Sequence, residues 1–334
     1  MSAPTVPDQV RATDDAGALS FDRPVPRAQV HKTGPGEVFL TDYTQLDDDH
    51  FLVAAELPRS HAFYGDTASD TPGVDPITLL EIGRQCGYIV LHDHFGIALE
   101  NTFVMRSMGA VLAPGAESVA IDGPARLHAT LWLKTPYHRD GALVGFLGIA
   151  TMTTVDGTPI GEVTASFSWI THDHFKAFRQ ATRAQLGLPA AIPPAAWHGE
   201  PAPEVAFGRT SARNAMLGEL RHDGDTTTAY LRPDLGYVGV FDHAYDHVPG
   251  MAQTEGSKQL AVAGAAHRLG LRPDQVVPSD LHAVFHAINE VDWETTVTAT
   301  FTPDEPSGGL RAVVVAQQNG RSLGEVTVLV TPRA

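Results

Sequence analysis

Residues 127–133, Leu-His-Ala-Thr-Leu-Trp-Leu, alternate apolar and polar positions, and residues 143–154 do so in part. That period of two predicts strands with one face on a core. The same texture returns late in the chain, in Trp-Glu-Thr-Thr-Val-Thr-Ala-Thr-Phe at 293–301 and Leu-Arg-Ala-Val-Val-Val-Ala at 310–316. Val155-Asp156-Gly157 and Gln318-Asn319-Gly320 separate neighbouring runs as turn signals. Upstream of each set lies a candidate helix carrying Glu, a basic residue and Gln at one spacing. The first reads Glu81-Ile82-Gly83-Arg84-Gln85 and the second Glu255-Gly256-Ser257-Lys258-Gln259. A further helix is predicted at 175–186.

The chain therefore repeats one plan. Ile160-Gly161-Glu162-Val163-Thr164 is echoed by Leu323-Gly324-Glu325-Val326-Thr327, and each continues as a strand. The two glutamates stand 174 positions apart and the two Gly-Glu-Val-Thr motifs 163 apart, a difference of the size that loop-length variation gives. One helix followed by an antiparallel meander, twice over, predicts an α+β fold rather than alternating βαβ units. Prolines at 189, 193, 194, 201 and 203 mark a linker over 188–204. The expected division is an extension at 1–29, partly disordered, a first unit at 30–187, and a second unit at 205–334.

Composition narrows the function classes. With 334 residues, 43% hydrophobic and 19% charged, the chain has material for two domains with real cores. A formal net charge of -16 and no visible Lys/Arg cluster argue against nucleic-acid binding. No run approaches the ~18 apolar residues of a membrane helix. No basic region followed by an apolar run opens the chain, so a cytoplasmic enzyme without membrane partners is expected. The single Cys86 forms no internal disulfide and has no cysteine partners for a zinc cage.

Asp246-His247-Val248-Pro249-Gly250-Met251, with Glu255 following, resembles the helix start of hot-dog dehydratases. A closer resemblance is to the A-factor biosynthesis (gamma-butyrolactone synthase) family, whose members carry two such repeats. It rests on Val30-His31-Lys32, Glu37-Val38-Phe39-Leu40-Thr41, the stretch from Asp75-Pro76 to Gln85, Phe241-Asp242-His243, and Asp246 to Met251. It covers the chain from about Val30 onward. The resemblance implies two tandem hot-dog folds, each an antiparallel sheet wrapped around a central helix, forming an intramolecular pseudo-dimer. It also implies an acyltransferase joining a beta-ketoacyl group to the hydroxyl of dihydroxyacetone phosphate, on the way to a butyrolactone-type signalling molecule. The donor would be an acyl carrier protein or acyl-CoA thioester, with no cofactor, in a monomer or homodimer. Lys258 departs from the arginine expected in the second helix, and its neighbours are small and polar.

Such a reaction needs a base, donors for an oxyanion and a cradle for phosphate. Pro249-Gly250 suits the oxyanion, since Gly admits a carbonyl to unpaired N–H groups at a helix start. Glu255 or Glu81 is the candidate base, tuned by burial and a nearby cation, with Lys258 or Arg84 on phosphate. Gln85 and Gln259 share those helix faces as substrate-binding candidates. The alternative is a structural i,i+3 ion pair in each helix. His243 and His247 flank the helix start as base or orienter. Lys32 and Arg106 are further phosphate candidates, though His31-Lys32 also reads as a solvated loop. No ligand spacing supports a metal. Two rival readings stay open: a hot-dog beta-hydroxyacyl dehydratase or thioesterase, and a non-catalytic acyl- or partner-binding protein.

Overall fold

The computed structural model describes residues 19–333 apart from 59, 69–72, 120–124, 193–200, 233, 238 and 242–244. Most of the expected disordered segment and half of the expected linker lie outside the described residues. The described end of the extension runs along the first strand, where the Val25 N–H donates to the Leu40 carbonyl.

Among the described residues each half builds six strands. The first gives β1 (Leu40–Gln45), β2 (His50–Glu56), β3 (Thr102–Leu112), β4 (Arg126–Arg139), β5 (Ala142–Thr154) and β6 (Pro159–Ile170). The second gives β7 (Leu217–Asp223), β8 (Thr226–Leu231), β9 (Val276–Phe285), β10 (Thr295–Asp304), β11 (Gly309–Gln318) and β12 (Arg321–Pro332). Their order in one continuous sheet is β1-β2-β4-β5-β6-β3-β9-β12-β11-β10-β8-β7, a palindrome about the β3–β9 seam. Antiparallel pairing of Ser107 with Val284, Gly109 with His282 and Val111 with Asp280 joins the halves there. This is the expected α+β pseudo-dimer of two hot-dog units.

The alternating runs take the predicted form. In β4, Leu127, Ala129, Leu131 and Leu133 are all buried while their neighbours face outward. The β11–β12 hairpin turns at Asn319 and Gly320, both at positive φ, as a two-residue turn of primed geometry requires.

Two helices lie against this sheet, α1 (Pro76–Asp93) and α3 (Gly250–Leu269). They are buried nearly all round, which explains why neither shows a clean amphipathic stripe. Glycines let sheet and helix approach: a Cβ on Gly83 would lie 2.7 Å from Val163, and one on Gly264 2.3 Å from the Phe301 ring. The intervening helix α2 (His172–Gln185) is different in kind, since its buried side chains are Arg179 and Arg183. No described helix is long and apolar enough to cross a membrane.

Candidate active site at the junction of the two halves

The helix motif places the same clamp in both halves. Gln85 accepts from the Phe39 N–H at 3.0 Å and donates to the Glu37 carbonyl and to Glu81, each at 2.8 Å. Gln259 accepts from the Met216 N–H at 2.9 Å and donates to the Asn214 carbonyl at 2.7 Å and to Glu255 at 2.8 Å. Both hydrogens of each amide are committed. The two glutamines therefore tie helix to strand and aim the glutamates, in place of the expected contact with substrate.

Around Glu81 the structure gathers cations. Arg84 forks onto it, Nε to Oε2 at 2.9 Å and Nη2 to Oε1 at 2.8 Å, and Lys32 Nζ stands 3.1 Å from Oε1. Lys32 is thus no solvated loop residue; its side chain is only 8% exposed. Burial by itself would raise the Glu81 carboxyl. Arg84 and Lys32, with hydrogen bonds from Arg84 and Gln85, bring it down from 4.5 to about 2. That corrects the expectation of a carboxylate tuned toward a neutral-pH base, because three donors stabilise its ionised form. Arg84 also lies over the Tyr88 ring, 4.8 Å from its centroid. Nearby, His61 Nδ1 accepts from the Phe63 and Tyr64 N–H groups, so Nε2 carries the proton it shares with Glu37 at 3.1 Å. Burial and the Glu81 carboxylate, opposed by Arg84 and reinforced by Glu37 and Glu255, hold the Tyr64 hydroxyl well above the usual phenol range. Tyr64 thus senses both helix glutamates.

Around Glu255 the charges close on themselves. Arg209 Nη2 reaches Oε1 at 2.5 Å, and Lys258 Nζ lies 2.8 Å from Oε2. Lys258 also donates to Asp75 at 2.5 Å, and Arg209 is 3.9 Å from the same carboxylate. Asp75 belongs to the other half, where its second oxygen caps α1 by accepting from the Ile77 N–H at 2.9 Å. Burial raises the Asp75 carboxyl, but Lys258 and Arg209 outweigh it and hold it below the usual range. The start of one helix thus docks on the cations that hold the acid of the other.

The start of α3 is built otherwise. Pro249 caps it without a side-chain hydrogen bond, so its first N–H groups meet no capping oxygen from that residue. Gly250 is required locally, since a Cβ there would lie 2.9 Å from the Phe285 ring. Before it, His247 Nδ1 meets Asp246 Oδ1 at 2.5 Å, and Asp246 Oδ2 takes the Nε of Arg179 at 2.8 Å. Arg179 also forks onto the fully buried Glu290, which Arg183 shares at 2.8 Å. Desolvation works against the Asp246 carboxylate, but His247 and Arg179 hold it far below the usual range. Tyr245, 6.1 Å from the His247 ring, interacts electrostatically with Arg84.

Of the remaining candidates, His243 lies outside the described residues. Arg106 is exposed on β3, over the Tyr137 ring, and takes no part in either cluster. Asp47, Asp49 and His50 converge among the described residues, but they are exposed and bond one another as the β1–β2 turn. Sequence reading missed Asp75 as a partner of Lys258, Arg209 as a partner of Glu255, and the Arg179–Asp246 link. Arg209 sits in a loop that nothing local marks, and Asp75-Pro76 marks a helix start without revealing its partner. Asp246-His247 adjacency was the visible signal for the last.

The sequence matches the family described as "AfsA: A-factor biosynthesis hotdog domain" over residues 13–122 and 193–333. It is 26% identical over 314 residues to a 2-oxo-3-(phosphooxy)propyl 3-oxoalkanoate synthase of Streptomyces griseus, covering 93% of this chain and 96% of that one. A protein of the same description from Streptomyces coelicolor is 27% identical over 326 residues, covering 97% and 96%. In fold it is similar to an oleoyl thioesterase (putative) from Lactobacillus plantarum, with a TM-score of 0.51, 11% identity, and coverage of 85% of this chain and 97% of that one.

Proposed function

The chain belongs to the A-factor biosynthesis hotdog family, and from that premise we propose that it is a 2-oxo-3-(phosphooxy)propyl 3-oxoalkanoate synthase. It transfers a 3-oxoacyl group from a thioester to the hydroxyl of dihydroxyacetone phosphate, giving a phosphorylated ester and a free thiol. The observation that carries this reading is the likeness to synthases of that description along nearly the whole length of both chains. The donor thioester is carried by acyl carrier protein or coenzyme A. The two halves already form the paired sheet, so one chain is the working unit. Its place is the cytoplasm, where such thioesters are made.

The residues fit the steps. The acceptor hydroxyl attacks the thioester carbonyl, a C–O bond forms, and the carbonyl oxygen takes the negative charge. The uncapped N–H groups at the start of α3 suit that oxyanion, with the helix dipole behind them. Asp246 fixes the proton of His247 on Nδ1, which leaves the Nε2 lone pair for the hydroxyl proton. The C–S bond then breaks, and His247 returns that proton to the leaving thiolate. Arg179 is a positioning residue, acting through Asp246. Glu81 and Glu255 act as counter-ions.

Mass spectrometry of a 3-oxoacyl thioester mixed with dihydroxyacetone phosphate and the protein tests this. The expected product is a new phosphorylated ester, made at least ~100-fold more slowly by His247→Ala, the general-base contribution being about 10²–10⁴. Loss of water from a 3-hydroxyacyl thioester without ester formation would put a dehydratase in its place. Free 3-oxo acid as the only product would put a thioesterase there.

A further inference from the structure

The duplicated halves offer two copies of one motif, yet their charges differ. We propose that only the first copy works on the acceptor, with Lys32 and Arg84 together receiving its phosphate, while the Glu255 copy is a neutral strut joining the halves. This rests on the synthase reading above.

The difference lies in what surrounds each glutamate. Glu255 and Asp75 bring two negative charges, and Arg209 and Lys258 two positive ones. Each cation there has two carboxylates within 4 Å, so none is left to meet an anion. Glu81 brings one negative charge against Lys32 and Arg84. The neighbouring Glu37 carboxylate is occupied by His61.

Geometry adds to the count. Arg84 uses Nε and Nη2 on Glu81, and its Nη1 makes no hydrogen bond among the described residues. Among the described residues the one ion pair of Lys32 is with Glu81, its Nζ 3.1 Å from Oε1. Both side chains retain slight exposure, 8% for Lys32 and 16% for Arg84, against 4% for Lys258 and 3% for Arg209. The first cation pair is therefore less enclosed than the second, as well as unspent. A buried, carboxylate-anchored Arg–Lys pair with spare donors is suited to a phosphate monoester.

The helix starts diverge in the same sense. Asp75 caps α1, so the end that meets Lys258 is closed by a carboxylate. The start of α3 has no such side-chain cap.

The test compares Lys32→Ala, Lys32→Arg and Lys258→Met. Steady-state kinetics with dihydroxyacetone phosphate and a fixed thioester would be run beside ³¹P line-broadening titrations with inorganic phosphate. Lys32→Ala should raise the KM for dihydroxyacetone phosphate ~10- to 100-fold, as loss of a charge-assisted contact implies, with the donor KM unchanged. Phosphate binding should weaken in parallel, and Lys32→Arg should restore most of both. Glu81 keeps Arg84 and Gln85 in Lys32→Ala, so the fold should persist, as a melting curve would check. Lys258→Met should melt at lower temperature and keep its KM. An acceptor KM that moves in Lys258→Met and stays fixed in Lys32→Ala would overturn the assignment, as would phosphate binding indifferent to Lys32. Phosphate binding lost in Lys32→Ala with no ester made by the unaltered protein would instead sink the synthase reading and leave the anion site standing.

Discussion

Replacing Glu81 with Gln removes the charge that holds Lys32 and Arg84 while keeping the side chain's shape. The carboxyl falls from 4.5 to about 2 on folding because those cations and Gln85 favour its ionised form over the penalty of burial. A depressed carboxyl contributes stability in full above its unfolded value, and loses it as pH falls toward the folded one. At ~1.36 kcal/mol per tenfold change, the contribution at pH 7 is about 3 kcal/mol, and at pH 3 about 1 kcal/mol remains. Glu81 is 1% exposed, so solvent screening does not reduce this much. Urea unfolding of the parent and of Glu81→Gln at the two pH values measures it. The gap between the proteins should shrink by about 2 kcal/mol from pH 7 to pH 3. Other carboxylates that titrate in this range are common to both proteins and cancel. A gap that stays constant would mean that the Lys32–Arg84–Glu81 cluster does not stabilise the carboxylate, and the electrostatic account would fail.

The buried network under α2 gives a larger loss. Glu290→Gln leaves Arg179 and Arg183 short of a fully buried counter-ion and should cost about 3–5 kcal/mol by thermal or urea denaturation; a loss below 1 kcal/mol would contradict it. Gly250→Ala should destabilise by about 1–3 kcal/mol through the Phe285 ring, and Phe285→Leu in the same chain should recover part of that. Burial pushes the Cys86 thiol up to about 12, so Ellman's reagent at pH 8 should leave the folded protein unlabelled and react with one thiol in urea.

Much of this fold was legible because its signals are local. Leu127 to Leu133 alternates in sequence and in burial, and Asn319-Gly320 supplies the backbone its turn needs. The Glu-x-x-Arg/Lys-Gln motif located both buried helices by repetition, where a hydrophobic stripe was lacking. Strands β3 and β9 were harder, since their edges are covered by each other across the seam and neither alternates cleanly. The site was legible by residue type and illegible by partnership. Lys32 meets Glu81 from a segment 49 positions earlier, and Asp75 meets Lys258 across 183 positions. The first pairing exists only once the first half has folded, and the second only once the two halves have come together. Hence the sequence offers Glu81 or Glu255 as the base and Arg84 or Lys258 as the phosphate ligand, while only the structure shows two cations on Glu81 and two carboxylates on Lys258.

The central claim is that thioester cleavage is coupled to the capture of an acceptor hydroxyl. Thiol release from a 3-oxoacyl thioester, followed with and without dihydroxyacetone phosphate, tests it most directly. The account expects release only when the acceptor is present, one thiol for each phosphorylated ester formed. Equal release without the acceptor would mean hydrolysis by a thioesterase, and the account would be wrong.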